Sequence, residues 1–399
     1  MNDDANAEPR PPEIGYLALF LRFLRFGLLA FGGPVAQIAM IRRELVDEER
    51  WIGSGGFNRL LAVMQALPGP EAHELCVHLG IRAKGRLGGL LAGLGFMLPG
   101  FVLMMALAWG YSRLRIEGTV LGAMFLGVQA AVLAVIARAI HRIGEHILLD
   151  RWLWAAMLGA AGASLLGASF WIVLPAAGAA YAMASTKRFI PAVAVLAVAG
   201  AVSVAVAGWR FEPLVVSADA SAATTLALFF AGLKGGLLTF GGAYTAIPFV
   251  RDDSVGRGWM TDAQFLDGVA LAGVLPAPLV IFSTFVGWVC GGPAGAVAIT
   301  AGMFLPAFAL SMIFYERLEA LAEHRRLQKF LSGVAAAVVG LIVVTLIELG
   351  VAAVDRSPNL VASAVIFSVA LAITTGWSHR LSTFVVLALG ALAGAVALG

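Results

Sequence analysis

The chain has 399 residues, of which 60% are hydrophobic and only 13% charged, and a mean hydropathy of +0.90. Soluble domains carry about 25% charged residues, so this chain cannot cover a water-facing surface, and a polytopic helical membrane protein is expected. The formal net charge of +3 is spread over too few charges to make a nucleic-acid surface.

In chain order, residues 1–15 are polar, acidic and Pro-containing, and read as a disordered N-terminal tail without a basic signal region. Apolar runs long enough to cross a bilayer follow at about 17–41, 57–80, 87–111, 119–137, 152–170, 172–186, 190–208, 222–250, 263–289, 294–315, 330–352, 359–376 and 381–398. These are thirteen candidate spans. With residue 1 in the cytoplasm, sixteen basic residues fall in cytoplasmic loops and seven outside. The positive-inside rule then favours a cytoplasmic N-terminus and an external C-terminus. Trp51, Trp109, Trp152, Trp259 and Trp377 fall near span ends, as interfacial anchors should. Cys76 and Cys290 lie in apolar runs, with no disulfide framework or metal-ligand spacing, so neither a cofactor nor a metal is expected.

The chain contains itself twice. FLRFGLLAFGGPVAQIAMI, a charged loop with Trp51, FNRLLAVMQALPGP and LAGLGFMLPGFVL are followed later by FFAGLKGGLLTFGGAYTAIPFV, a loop with Trp259, FLDGVALAGVLPAP and ITAGMFLPAFAL. The offset drifts only from 209 to 207 residues. This predicts an all-α fold of two homologous halves, 16–188 and 220–399, of about six helices each, joined by a linker helix at 189–210. An odd number of spans between the copies inverts one against the other, an arrangement typical of transporters.

The repeated breaks are the first site candidates. Gly32-Gly33 and Gly241-Gly242 interrupt the first helix of each half, and Pro68-Gly69-Pro70 and Pro276-Ala277-Pro278 the second. Irregular backbone at membrane depth is tolerated only where protein or a cavity satisfies it, and exposed helix N-termini suit an anion. Arg22 and Arg25 precede the first break. Arg25 and Lys234 match at offset 209, which suggests a cation at the same place in both halves of an anion path. Gln65 is a polar candidate just before the Pro break. Glu71, His73 and Glu74 follow it, and could relay protons or pair with Arg22 or Arg25. Asp262 is a candidate N-cap and Glu348 an isolated acid near a span end. The charged loops 42–51 and 251–259 read as solvated turns.

These elements resemble the chromate ion transporter family in its long, two-domain bacterial form. The resemblance rests on FLRFGLLAFGGPVAQIAMIRRELVDEERW, QALPGP, FFAGLKGGLLTFGGAYTAIPFV, GVLPAP and MFLPAF, covering about 16–112 and 224–315. It implies an inner-membrane exporter that lowers cytoplasmic chromate, with sulfate as a competing or co-transported anion. It also implies energy from the membrane potential or a coupling proton. Its site roles would fall on Arg25, Phe31, Gly32, Gly33, Pro34, Gln65, Pro68, Gly69, Pro70, Lys234, Gly241, Gly242, Pro276 and Pro278. One stretch departs from the family, whose members commonly have Asn-Ser-Thr-Gln after LPGP. Here the residues are Glu71-Ala72-His73-Glu74, and two carboxylates repel a dianion unless protonated or paired. The alternative reading is a sulfate or other anion uptake or exchange carrier. A homodimer is compatible with the sequence, which does not fix oligomeric state.

Overall fold

A computed structural model describes residues 9, 11–114, 118–208, 223–316, 324–377, 379 and 381–399. Most of the N-terminal tail expected at 1–15, and the end of the expected linker, lie outside them. Every regular element among the described residues is helical. The first seven helices are α1 (Tyr16–Leu28), α2 (Gly33–Arg42, continued by a π-helical stretch Arg43–Glu48), α3 (Ser54–Ala66), α4 (Glu71–Arg113), α5 (Val120–Ile147), α6 (Arg151–Leu165) and α7 (Phe170–Ala184). Helix α8 (Phe189–Gly208) follows. Then come α9 (Thr225–Leu237), α10 (Ile247–Ser254), α11 (Asp262–Val274), α12 (Phe282–Ile313), α13 (Arg325–Arg356), α14 (Leu360–Gly376) and α15 (Ser382–Ala397). Short 3-10 turns, Ala243–Ala246 and Leu279–Ile281, lead into α10 and α12. Four stretches are long and apolar enough to cross a membrane: Glu71–Arg113, Val120–Ile147, Leu279–Ile313 and Arg325–Arg356.

Hydropathy misses what happens between the short helices. At about 1.5 Å per residue, α1 and α3 are each only about 20 Å long, against about 30 Å of hydrocarbon. The chain does not continue across after them. It turns back at 29–32, so that Arg25 of α1 bonds Glu44 at 2.7 Å and Arg22 bonds Glu49 beyond the returning helix. It turns back again at 67–70, bringing Arg82 within 3.3 Å of the Trp51 carbonyl that precedes α3. Thus 17–41 and 57–80, expected as crossings, are helical hairpins. Two 13-residue arms add up to the length of one span, and a Gly/Pro turn reads in sequence like a kink. In the second half, 222–250 is the equivalent hairpin, since Lys234 of α9 bonds Asp253 of α10 at 2.6 Å.

Helix α4 also doubles back. Lys84 (φ −144°, ψ 31°) and Gly85 (φ 63°, ψ −165°) leave helical geometry, and 71–83 then packs antiparallel on 86–113, with Gly80 against Gly88 and Ala92. The φ of +63° suits glycine. Helix α12 repeats this at Gly291 (φ −146°, ψ 20°) and Gly292 (φ 62°, ψ −158°), and Thr284 and Thr300 share a hydrogen bond of 2.7 Å across the fold-back. Among the described residues, seven helices fall in 16–188 and seven in 220–399, one in each set folded double.

The long helices exchange partners between the halves. Helix α5 packs on α15, where Gly127 sits so close to Gly390 and Gly394 that a Cβ would come within 2.1 Å of the Gly390 carbonyl oxygen. Helix α13 packs on α6 and α7, with Gly340 against Met157 and Gly333 against Ala177. Small residues permit such backbone approach where lipid offers no hydrophobic drive between helices. This lattice of long helices holds the short hairpins in place.

Candidate functional site

The hairpin turns meet in pairs, each pair taking one turn from each half. At one crossing the Gly69 N–H donates to the Thr239 carbonyl at 2.8 Å, joining the Pro68-Gly69-Pro70 turn to the one containing Gly241 and Gly242. At the other, Gln37 donates through Nε2 to the carbonyls of Ala30 at 2.9 Å and Ala277 at 3.0 Å. It thereby joins the turn of Gly32 and Gly33 to that of Pro276 and Pro278. Ala30 and Thr239 are 209 positions apart and Gly69 and Ala277 are 208 apart, so the two crossings use matching positions.

Each turn ends by starting a helix: α2 at Gly33, α4 at Glu71, and the 3-10 turns at Ala243 and Leu279. Gly32 (φ 89°) and Gly241 (φ 73°) set two of these starts. The first N–H groups of a helix have no partner within it and carry the positive end of its dipole. Four such starts near the two crossings make an environment for an oxyanion from backbone alone. Pro34, in the first turn of α2, is pre-shaped for this entry. Gly69 (φ 145°) takes a backbone conformation that favours glycine, and a Cβ there would push on the Glu74 carboxyl, whose Oε1 lies 2.6 Å from that point.

The cations expected in the path are paired with carboxylates. Arg22 bonds Glu49 and lies over the Trp51 ring, and Arg25 bonds Glu44. Lys234 bonds Asp253 at 2.6 Å and Asp252 at 3.2 Å, with its ammonium 4.7 Å from the Phe170 ring centre. Glu44 and Asp253 are themselves 209 apart, so the two halves hold the same cation–carboxylate clasp between hairpin arms. The loops read as solvated turns thus supply the partners of these cations. Arg22 and Arg25 do not meet Glu71 or Glu74.

The three residues after the Pro break have unequal surroundings. Gln65 is exposed and lies against the Glu71 carboxyl, which is also within electrostatic reach of His146 on α5. His73 is fully buried between Phe304 and Phe308, ring centres 4.9 and 4.7 Å away. Both His73 ring nitrogens and both Glu74 carboxyl oxygens are buried without a hydrogen-bond partner among the described residues.

Sequence reasoning missed several features. Gln37, 1% exposed, is the lone amide in the apolar run 34–41. Asp267 is buried and takes hydrogen bonds of 2.8 Å from Tyr111 and from Gln129. Trp51 is not an interfacial anchor: it is 0% exposed, and its indole N–H donates to Glu49 at 2.9 Å. Thr261, not Asp262, caps α11, through a capping box with Gln264. Asp262 instead bonds Arg251 at 2.6 Å, which also holds Glu348. No group of three His, Cys, Asp or Glu side chains suited to a metal occurs among the described residues. A cavity of about 600 Å³ between α6, α7 and α8 is lined mostly by alanine and offers no set of anion donors.

The chromate transporter family model matches the chain twice, over residues 17–204 and 226–395. The chain belongs to the chromate transporter family. A chromate transport protein of Pseudomonas aeruginosa is 61% identical over 98% of this chain and 94% of its own length. The chromate transport protein of Cupriavidus metallidurans is 29% identical over 95% of this chain and 92% of its own. A probable chromate transport protein of Synechococcus elongatus is 28% identical over 94% and 93%. No solved structure matches. The family is one of transporters, not enzymes, and its double match falls on the two sets of hairpins that build the crossings. The apolar helices and the family together make this a transmembrane protein.

Proposed function

We propose that this protein is a secondary active transporter that carries chromate or a related tetrahedral oxyanion out across the inner membrane by alternating access. The observation that carries the reading is the pair of crossings, with four helix starts beside them and irregular backbone held by partners from the opposite half. A dianion bound there is met by N–H groups and dipole ends rather than by permanent charge. Such binding is strong enough to select a tetrahedral oxyanion and weak enough to release it.

In this reading the hairpins are re-entrant and only the second arm of α4, then α5, α6, α7 and α8, cross between α1 and α9. Five crossings turn the second half upside down. The same count puts Arg113, Arg115, Arg210, Lys234, Arg251, Arg257 and Arg356 outside and the other twenty of the 27 basic residues on the cytoplasmic side. The count was sixteen to seven for thirteen simple crossings: Arg42, Arg43 and Arg50 move inside, Arg251 and Arg257 move outside, and Arg22, Arg25 and Arg59 join the cytoplasmic side. The substrate contacts are assigned to the turns: Gly32, Gly33, Pro68, Gly69, Pro70, Gly241, Gly242, Pro276 and Pro278, with Gln65 beside them. Arg22, Arg25 and Lys234 act on the path through the hairpin clasps. Glu71, with His73 and Glu74 behind it, is the station for a coupling proton.

The test is counterflow in proteoliposomes with chromate, sulfate and molybdate under imposed pH and voltage gradients. Chromate exchange that follows an imposed gradient is the expected result. Equal flux with sulfate would favour a general sulfate or anion exchanger, since both dianions present the same tetrahedral oxygens to the same donors. Absence of flux with all three would overturn the reading.

A further inference from the structure

The cavity of about 600 Å³ between α6, α7 and α8 has walls of alanine, glycine and a few larger apolar groups. Elsewhere in this fold glycines bring helices into backbone contact, as Gly127 and Gly340 do. Gly159 of α6 and Gly200 of α8, both on the cavity wall, do not: a Cβ at either would meet nothing within 4 Å. Helix α8 packs on α7, and Gly200 stands about 17 Å along it from Phe189, at about 1.5 Å per residue. That is close to the hydrocarbon depth of one leaflet, half of about 30 Å. An apolar slot of this length, with room left beside its glycines, accepts a hydrocarbon chain.

One end of the slot is basic. Trp152 at the start of α6 and Phe189 at the start of α8 meet there, ring centres 5.3 Å apart, and both line the cavity. Arg151 lies over the Trp152 ring at 5.4 Å. The turn between α7 and α8 folds back on α7, where the Lys187 and Arg188 N–H groups donate to the Ala184 and Met183 carbonyls at 3.0 and 3.1 Å. Arg151, Lys187 and Arg188 are all exposed. Lys329 of α13 reaches the same turn, donating to the Ser185 carbonyl at 3.4 Å. Asp150, the acid next to Arg151, is taken up by the Tyr181 hydroxyl and the Trp152 and Leu153 N–H groups. Aromatic rings at the end of an apolar slot, with cations beyond them, match an anionic headgroup and the chain below it.

We propose that this cavity binds one anionic phospholipid, with an acyl chain between α6, α7 and α8 and its phosphate held by Arg151, Lys187 and Arg188. The site stands apart from the crossings and does not depend on what the protein carries. A second copy of this chain is a poorer occupant. A two-fold axis along the membrane normal would set the same basic ends of both copies at one level, like charge against like. A lipid phosphate brings the opposite charge. Helix α8 leads from the first half towards the second, so the bound lipid fastens that connection to α6.

The experiment uses full-length protein in detergent, titrated with phosphatidylglycerol or phosphatidylcholine of the same chains, with bound lipid counted by native mass spectrometry. A phosphatidylglycerol carrying a photoreactive group on its acyl chain maps the site. One phosphatidylglycerol should be retained at concentrations where phosphatidylcholine is not, and the photoreactive chain should label α6, α7 or α8. Arg151→Gln, Lys187→Gln and Arg188→Gln should each weaken retention about fivefold. Gly159→Leu, which places a side chain where there is open space and leaves the cations intact, should abolish the labelling. Equal retention of the two lipids, labelling confined to other helices, or Gly159→Leu protein that labels like wild type overturns the proposal. So does a dimer cross-linked through a cysteine at Gly200, which would make a second copy the occupant. If the Gln variants do not fold, the lipid comparison and Gly159→Leu decide.

Discussion

Gln37 offers a direct test of how the two halves are joined. Its amide is buried and bridges Ala30 of one half to Ala277 of the other. Gln37→Leu keeps the volume roughly but removes the donor from two carbonyls at once. A buried polar group left unpaired costs about 1–3 kcal/mol, so two give about 2–6 kcal/mol. Hydrogen bonds measured between membrane helices are weaker, averaging about 0.6 kcal/mol, which puts the floor at about 1 kcal/mol for the pair. Gln37→Leu should therefore destabilise the purified protein by about 1–6 kcal/mol in denaturant titration. It should depress transport further, because the carbonyls it releases belong to the turns proposed to bind substrate. Gln37→Glu, which removes the donor and adds a charge, should be worse. A Gln37→Leu protein within about 0.5 kcal/mol of wild type and fully active would refute the bridge.

Two further outcomes separate competing roles. Arg25→Glu or Glu44→Arg alone should abolish transport with the protein still in the membrane, and the double exchange should restore part of it if the residues form a clasp. A double exchange as inactive as the single changes would return Arg25 to direct substrate contact. Asp150, at the start of α6, accepts from the Trp152 and Leu153 N–H groups and from Tyr181. Burial pulls its carboxyl up, but these hydrogen bonds outweigh that and hold it below its ordinary value of 3.8. Its contribution is therefore present above pH 3.8 and is lost as pH falls through the lower, folded value. Asp150→Ala should cost about 1 kcal/mol near neutral pH, and the gap to wild type should close only under strongly acidic conditions.

The Gly and Pro breaks were legible because composition and offset mark them twice, and their use as turns that begin helices follows from their chemistry. The reversal at each break was not. A hydrophobicity window measures length and apolarity, and a pair of 13-residue arms has both. A signal was nevertheless present in the sequence. Arg25 and Lys234 match at offset 209, and so do Glu44 and Asp253, and a cation and carboxylate matched together in both copies point to arms lying side by side. Read alone, the two cations looked like an anion site. Gln37 could not be seen as a bridge, because its partners are backbone carbonyls, one of them 240 positions away.

The central claim is that the hairpin turns form the oxyanion site. Gln65→Cys, in a protein whose native Cys76 and Cys290 are replaced by serine, puts a thiol at an exposed position beside the Pro68–Pro70 turn. Its rate of reaction with a membrane-impermeant thiol reagent applied from the cytoplasmic side should fall as chromate is added, in proportion to saturation of transport, and chloride should have no effect. A labelling rate indifferent to chromate, in protein that still carries it, would contradict the account.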